Sequence, residues 1–316
     1  MASTVDYEHG ISAIDAGYNR PAQVAIHLLV EGQRAAFIDT GIPRSVPAAL
    51  DALTGRGLTP EQVDYVIVTH VHLDHAGGAG RLMQACPNAR LVVHPRGARH
   101  LIDPAKLLAG VAAVYSEAEM SRSFAGVLPV PAERVIEAPD GFSLTLNGRP
   151  LLFLDTPGHA RHHFCVIDER AAAAFTGDTF GLSYREFDTA RGAFIFPTTT
   201  PVQFDPEALH ASIDRIVRHR PKQLFLTHYG RVTDVPRLAA DMHEMIAAFV
   251  VLAERNRAAG TARRQALIDA QARLLWPRLQ AHGTRLARAQ ALAILQDDLV
   301  LNAQGLEVWL DNRARA

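Results

Sequence analysis

The chain contains very little cysteine. Cys86 and Cys165 are its two cysteines, and they do not form a CxxC pair. Two isolated cysteines are too few for a disulfide framework and suit a reducing compartment. We expect both to be small buried hydrophobic residues rather than metal ligands.

The sequence also lacks an excess of charge of either sign. Its 32 Lys and Arg residues against 33 Asp and Glu residues leave a net charge of −1. No global field therefore recruits nucleic acid or an anionic membrane. No apolar run reaches transmembrane length, and the first residues lack the basic and apolar regions of a signal peptide. These absences predict a cytoplasmic protein without a membrane partner.

The composition is that of an ordinary globular protein. With 316 residues and 48% hydrophobic residues, the chain can bury a full core and has room for one large domain with a small appendage. Short apolar strands alternate with helical stretches such as residues 43–57 and 206–219. This alternation favours a layered α/β domain.

The densest group of potential metal ligands is one short segment. Its members are His70, His72, Asp74 and His75. They follow an apolar, β-branched run at residues 63–68, which is typical of a strand buried on both faces. In an extended chain His70 and His72 point the same way, because strand side chains repeat every two residues, and one metal can bind both. The next two ligands lie where two glycines let the backbone bend toward a helix at about residues 80–85, so a second metal can lie beside the first.

Three further ligand candidates follow other predicted strands. Residues 151–155 read as a strand that leads into a turn with His159 just past its end. Asp178 lies on a glycine-assisted turn after a short strand and can bridge two cations. Residues 222–226 repeat the pattern of a strand followed by a histidine, His228. Ligands from several strand ends predict a binuclear metal centre.

Taken in order, these motifs resemble the metallo-β-lactamase superfamily and, within it, the hydrolases similar to glyoxalase II. A further element, Asp39-Thr40-Gly41, resembles the Asp-Thr-Gly turn that the family places beneath its metals. The resemblance spans roughly residues 23–230. It implies an αββα architecture, in which two sheets pack face to face with helices outside.

The resemblance also implies a ligand set. One metal is held by His70, His72 and His159, a second by Asp74, His75 and His228, and Asp178 bridges them. Asp39 and His163 are then residues that orient ligands, as metal-bound imidazoles commonly require. From the residues alone, Asp39 is equally an acidic turn residue that caps local backbone N–H groups, and His163 a structural hydrogen-bonding group.

Candidate substrate contacts are fewer. Tyr184 and Tyr229 can reach a substrate oxygen, although a tyrosine is more often part of a wall. Residues 180–204 follow Asp178 without clear periodicity and read as an active-site loop whose aromatic residues, including Phe196, line an apolar pocket or anchor the loop to the core.

The pattern changes after His228, and we place a domain boundary between a catalytic domain of residues 1–236 and a mainly helical extension of residues 237–316. Within the extension, residues 298–310 read as two short strands around a turn. Helices followed by a hairpin resemble a winged-helix appendage. Spaced arginines add positive charge to the extension. They are explained by a solvent-exposed helix face, so binding of nucleic acid is disfavoured. Substrate cover or a homodimer contact is the favoured role.

The predicted function is hydrolysis of a small-molecule ester, thioester or lactone. Two divalent metals, with zinc favoured and iron or manganese possible, activate a water and polarise the carbonyl, and Asp74 takes up a proton as the intermediate collapses. Two alternatives stay open. One is an iron-dependent, non-hydrolytic protein of the persulfide dioxygenase or diiron redox type, since these ligands accept several metals. The other is a regulatory effector that keeps the metals and signals through its C-terminal helices.

Overall fold

The core of the protein is a pair of β-sheets. The structure is a computed structural model that describes residues 3–112, 116–199, 202–258 and 260–315. In these residues the first sheet has seven strands in sequence order. They are β1 (Thr4–Asp6), β2 (Ile11–Asp15), β3 (Ala25–Glu31), β4 (Arg34–Ile38), β5 (Val63–Ile67), β6 (Arg90–Val93) and β7 (Val135–Glu137). The strands from β4 to β7 are parallel, and β1 to β4 are antiparallel.

The second sheet has six strands in the described part of the chain, in the order β13-β12-β11-β10-β9-β8. They are β8 (Ser143–Leu146), β9 (Arg149–Asp155), β10 (Phe164–Asp168), β11 (Ala173–Gly177), β12 (Gln223–Leu226) and β13 (Gly230–Val232). β11 and β12 are parallel, and β9 runs in the same direction because two antiparallel pairings separate it from β11. The ends of β9, β11 and β12 therefore lie at one edge of this sheet.

Helices cover the outer faces of both sheets. The α-helices are α1 (Val46–Gly55), α2 (Leu73–Ala76), α3 (Ala79–Ala85), α4 (Pro95–Ile102), α5 (Ala105–Ala112), α6 (Glu117–Glu119), α7 (Pro206–Arg218), α8 (Val235–Arg255), α9 (Arg263–His282) and α10 (Arg288–Arg315). Short 3-10 turns occur at Pro43–Ser45, Pro60–Gln62, Ala132–Arg134, Arg185–Phe187 and Gly260–Ala262, and a π-helical turn at Met120–Phe124. None of the described helices is long and apolar enough to span a membrane.

Three apolar clusters show how the layers pack. The central cluster joins the facing sides of the sheets, with Ile38 and Ile67 from the first and Phe153 and Phe175 from the second. A second cluster lies between the first sheet and α1, α3 and α4. A third joins the second sheet to α7, α8, α9 and α10. The αββα prediction is confirmed, and the C-terminal helices share one core with the second sheet.

The predicted C-terminal hairpin is wrong. Residues 298–310 lie inside α10, a single helix of 28 residues. Leu295, Leu299, Ala303, Leu306 and Leu310 are buried on one side of this helix. Their spacing of three and four residues is the helical period, and Gly305 is buried within the helix instead of forming a turn. The winged-helix resemblance required this hairpin and is therefore also wrong. The prediction of a helical extension is confirmed.

Candidate metal centre

The ends of four strands bring the predicted ligands together at one edge of the two sheets. β5 leads into the segment of residues 69–75, β9 leads toward His159, β11 toward Asp178 and β12 toward His228. The ligand atoms fall into two groups, and within each group they lie within 4.8 Å of one another. The first group is His70, His72, His159 and Asp178, and the second is Asp74, His75 and His228.

Asp39 lies beneath both groups, at the end of β4. Its backbone has a left-handed φ of 58°, which is uncommon for a residue with a side chain. Its Oδ1 accepts hydrogen bonds from the Thr69 amide at 2.8 Å and the Thr69 hydroxyl at 2.9 Å. Its Oδ2 accepts from the Thr227 hydroxyl at 2.6 Å and lies 2.8 Å from Nδ1 of His75. Asp39 is fully buried and joins the turns that carry ligands of both groups.

These contacts orient the ligand imidazoles. Because the Thr69 hydroxyl proton points to Asp39, Nδ1 of His70 donates to the Thr69 oxygen, 3.2 Å away. Nδ1 of His75 donates to Asp39, and Nδ1 of His228 donates to the Gln23 carbonyl at 2.9 Å. In the neutral form of each imidazole, a proton on Nδ1 leaves the Nε2 lone pair free, and this is the form that binds a metal.

The first group has the spacing of a metal site. Nε2 of His159 lies 3.0 Å from Nδ1 of His72 and 3.3 Å from Oδ2 of Asp178. Ligands about 2.0 to 2.1 Å from a tetrahedral zinc lie roughly 3.3 Å from one another. Nε2 of His70 is buried and has no hydrogen-bond partner in the described ranges. A cation between these atoms would satisfy it.

The second group adjoins the first through Asp178. Oδ2 of Asp74 lies 3.3 Å from Nε2 of His228 and 3.6 Å from Nε2 of His75. Oδ1 of Asp178 lies 3.2 Å from Nε2 of His75 and 3.6 Å from Nε2 of His228. That oxygen and the His75 nitrogen are both buried without a hydrogen-bond partner among the residues described. Asp178 thus presents one oxygen to each group, as a bridging carboxylate does.

The electrostatics of the cluster also favour a cation. Burial and the neighbouring His159 lower the pKa of His72 to about 3. Burial acts against protonation of His75, yet the carboxylates of Asp178 and Asp74 raise its pKa well above the usual range. Burial opposes ionisation of Asp74, but the His75 charge lowers its pKa to about 2. Ionised carboxylates and neutral imidazoles are the ligand forms that bind divalent metals, so metal uptake should release the His75 proton.

His163 supports the backbone of the bridging residue, Asp178. Its Nε2 accepts a hydrogen bond from the Asp178 amide at 3.1 Å, and its Nδ1 lies 3.0 Å from the Thr156 hydroxyl. Nδ1 therefore carries the proton. Gly177 makes this contact possible, because a Cβ there would lie 2.5 Å from the His163 Nε2. His163 contacts the backbone of one ligand, and its ring stacks on the ring of another, His70, with centroids 4.9 Å apart.

Several contacts of the centre were not predicted. Thr69 and Thr227 each precede a ligand histidine and bind Asp39, so their position next to the ligands was an available signal. The carbonyl of Gln23 gave no sequence signal, since any residue supplies a carbonyl. His162 lines the cavity over the cluster and has a buried Nδ1 without a partner in the described structure. The sequence shows that His162 is next to His163, but it does not show that the His162 side chain faces the cavity.

The predicted substrate contacts are placed elsewhere. Tyr184 and Phe196 are fully buried in the cluster beneath the C-terminal helices and do not line the cavity. Tyr184 donates to Oδ1 of Asp298 at 3.1 Å. Tyr229, 6% exposed, is also absent from the described cavity lining. Burial of the rings of Tyr184 and Phe196 favours their role as core anchors of the loop, and substrate contact by these residues and Tyr229 stays a prediction.

The cavity over the metal ligands has a volume of about 590 Å³. His72, Asp74, Asp178 and His228 form its polar floor. Apolar side chains from several elements form much of its wall, including Val71, Leu73, Leu107, Val111, Leu182, Val202 and Leu301. α10 contributes Gln296, Asp297, Asp298, Val300, Leu301 and Gln304. The C-terminal extension is therefore a wall of the candidate active site.

The chain is similar to known proteins. The family model for the metallo-beta-lactamase superfamily matches residues 19–228. A metallo-beta-lactamase fold-containing protein of Sulfurisphaera tokodaii is 27% identical over 71% of this chain and 80% of its own length. An atrochrysone carboxyl ACP thioesterase of Aspergillus fumigatus is 28% identical, over 37% of this chain and 28% of its own length.

A solved structure agrees at the level of the fold. The crystal structure of a metallo-beta-lactamase family protein from Thermus thermophilus is 20% identical and has a TM-score of 0.63, covering 90% of this chain and 93% of that one. The family model spans both ligand groups and more than half of the sequence. The chain belongs to the metallo-beta-lactamase superfamily.

Proposed function

We propose that the protein is a metal-dependent hydrolase that cleaves a small ester, thioester or lactone at a binuclear centre. The observation that carries this proposal is the convergence of two adjoining ligand groups on the floor of one cavity. Buried Nε2 atoms of His70 and His75 and Oδ1 of Asp178, each without a hydrogen-bond partner among the described residues, support occupancy by cations.

The metals we propose are two zinc ions, one held by His70, His72 and His159 and the other by Asp74, His75 and His228, with Asp178 between them. Imidazole and carboxylate ligands in a tetrahedral spacing suit zinc, although iron and manganese accept the same ligands. Bound there, the ions supply a hydroxide at neutral pH and polarise a carbonyl group.

The protein side chains then position the reacting groups. Asp178 and Asp74 carry negative charge at the floor of the cavity and hold the ligand histidines in place. Two divalent ions bound beside these carboxylates would leave net positive charge even with a hydroxide, and that charge would favour an oxyanion and an anionic leaving group. Asp74, whose side chain is 25% exposed toward the cavity, is the group we propose to accept a proton as the intermediate collapses.

The cavity wall supports a substrate with an apolar group. Leu107 and Val111 of α5 and Leu301 of α10 line it above the polar floor. Charged side chains, among them Lys106, Glu119 and Arg122, line another part of the wall, and apolar lining with placed polar groups is typical of small-molecule sites. The relative named as a thioesterase supports acyl transfer to water as the reaction class. We place thioesters and esters with an apolar acyl group first among the substrates.

The test combines metal analysis with a substrate panel. Purified protein with quantified metals is assayed on thioesters, esters, lactones, phosphodiesters and β-lactams. We expect zinc to be bound and turnover to be limited to the first three classes. Iron as the bound metal without hydrolysis would favour the iron-dependent alternative.

A substitution of the bridging residue makes the test specific. Asp178→Ala should abolish both metal loading and turnover, because it removes the carboxylate shared by the two groups. Asp241→Ala is the matched control, since Asp241 lies in α8 and pairs with Arg237. Hydrolysis retained by Asp178→Ala would contradict the proposal.

A further inference from the structure

α10 contacts the loop of residues 197–199 through one buried side chain, Asn302. Asn302 is 1% exposed, although it carries a polar amide. Its Oδ1 accepts a hydrogen bond from the Thr199 amide at 2.6 Å, and its Nδ2 donates to the Pro197 carbonyl at 3.3 Å. The Thr199 hydroxyl donates to the Asn302 carbonyl at 3.0 Å. Both ends of the amide are thus used to hold the two neighbours of Thr198.

The residue held between these contacts faces a metal ligand. The Thr198 carbonyl lies 3.5 Å from Nδ1 of His159, at the long limit of a hydrogen bond. His159 is 1% exposed, and its Nε2 faces His72 and Asp178. A ligand imidazole is oriented by the acceptor at its other nitrogen. The position of the Thr198 carbonyl therefore sets the direction of Nε2.

The loop has little regular structure to fix that carbonyl by itself. An isolated β-bridge between Leu182 and Phe196 fixes the residue just before this loop. After this bridge, residues 197–199 belong to no helix or strand. The contacts from Asn302 are made on both sides of Thr198, so they restrain the peptide that carries the acceptor.

We propose that Asn302 is a positioning residue of the metal centre, which holds residues 197–199 so that the Thr198 carbonyl orients His159 toward the first metal. The inference rests on the metal centre of the proposed function, but not on the identity of the substrate. With this role of Asn302, the C-terminal extension is part of the catalytic unit. The extension then contributes through Asn302 to metal binding as well as through the cavity wall to substrate binding.

The test compares two buried amides of the same extension. Asn302→Ala removes the side-chain hydrogen bonds to the Thr199 amide and the Pro197 carbonyl, and keeps the backbone carbonyl that accepts from the Thr199 hydroxyl. Gln271→Ala is the matched control, because Gln271 is fully buried and its Nε2 donates to the Leu299 carbonyl at 3.1 Å, which joins α9 to α10 away from the loop. Both variants lose buried hydrogen bonds, but only Asn302→Ala loses those to the two neighbours of Thr198, whose carbonyl faces His159.

The readouts are metal affinity, measured by competition with a chromophoric chelator, and the visible spectrum of the cobalt-substituted full-length protein. We expect Asn302→Ala to bind the first metal about 10- to 100-fold more weakly, the usual cost of losing such support for a ligand. Its cobalt spectrum should change, while Gln271→Ala keeps the wild-type affinity and spectrum. Equal affinities and spectra for both variants would overturn the proposal.

A milder variant covers the case in which Asn302→Ala fails to fold. Asn302→Asp keeps an oxygen that accepts from the Thr199 amide and loses the donor to Pro197. It should weaken metal binding less than Asn302→Ala, yet measurably more than Gln271→Ala, and an unchanged affinity would overturn the proposal. These readouts require no substrate, so failure of the hydrolase assay and failure of this inference are separate results.

Discussion

The Thr227 hydroxyl donates a hydrogen bond of 2.6 Å to Oδ2 of Asp39, and this contact joins the end of a strand in the second sheet to a turn in the first. The same Asp39 oxygen lies 2.8 Å from Nδ1 of His75. The two sheets are therefore linked directly beneath the ligands. A shift of one sheet against the other would change the direction of His75.

This link predicts the effect of Asp39→Asn. The substitution keeps the size of the side chain but removes an oxygen that accepts from both Thr227 and His75. We expect affinity for the second metal to fall about 10- to 100-fold, measured by chelator competition. Asp15→Asn serves as control, because Asp15 is a buried aspartate that accepts from the Gly17 amide outside the centre. Equal metal affinity in the two variants would contradict the role of Asp39.

A second prediction concerns Gly177, which has a φ of 48° and precedes the bridging aspartate. In Gly177→Ala a Cβ would lie 2.5 Å from Nε2 of His163 and 2.6 Å from the Thr69 hydroxyl oxygen. Gly141→Ala tests backbone strain alone, since Gly141 has a φ of 75° and nothing within 4 Å of an added Cβ. We expect Gly141→Ala to cost about 1 kcal/mol in unfolding free energy, and Gly177→Ala roughly 1 to 3 kcal/mol more.

The urea midpoints of the two glycine variants measure this difference. Metal content should fall in Gly177→Ala, because the displaced His163 no longer supports the Asp178 amide. Similar midpoints and full metal content in both variants would show that the space beside Gly177 is not needed.

The third prediction is a pH dependence at Asp298, a residue of α10 in the cavity wall. Burial raises the pKa of Asp298 to about 7, while an aspartate in the unfolded chain has a pKa of about 3.9. Below both values the carboxyl is protonated in both states and has no effect. As the pH rises toward 7 the unfolded chain loses this proton first, so the group destabilises the fold, and the penalty stays constant above pH 7.

Asp298→Asn removes this penalty and keeps the oxygen that accepts from Tyr184. We expect the variant to exceed the wild type in unfolding free energy at pH 8 by about 1 kcal/mol or more, with a smaller difference at pH 5. Denaturant titrations of both proteins at the two pH values measure this. A variant that is less stable than the wild type at pH 8 would show that the carboxylate has a stabilising partner.

The fourth prediction is that metal removal destabilises the protein. Without cations, buried His70 and Asp178 atoms lack partners in the described structure, and a ligand that binds only the folded state stabilises it by mass action. Chelation should lower the melting temperature by several degrees, roughly 2 to 4 °C for each kcal/mol lost. Added zinc should restore it. A melting temperature that changes with neither the chelator nor added zinc would show that bound metal does not stabilise the fold.

The candidate ligands can be predicted from the sequence because metal ligation needs particular side chains, whereas their division into two groups came from the family resemblance. His159, Asp178 and His228 each follow a strand, and the shared direction of those strands brings their ends to one edge. The contacts that orient the ligands were harder to predict. They include backbone carbonyls of Gln23 and Thr198, which carry no side-chain signal.

The errors have physical causes as well. In α10 the segment Asn302-Ala303-Gln304-Gly305 has the composition of a turn, but the apolar spacing from Leu295 to Leu310 is helical and tertiary packing on the second sheet decides the structure. Tyr184 and Phe196 lie in the loop that follows Asp178, and this position suits either a pocket wall or a core anchor. Their side chains point into the core, and no local pattern distinguishes the two directions.

The most direct test of a binuclear hydrolase is a zinc titration of the metal-free protein with thioester hydrolysis recorded at each addition. We expect hydrolysis to be absent without metal and to reach its maximum at two zinc ions per chain, matching the two ligand groups. Full hydrolysis by the metal-free protein, or binding that saturates at one ion, would contradict this expectation.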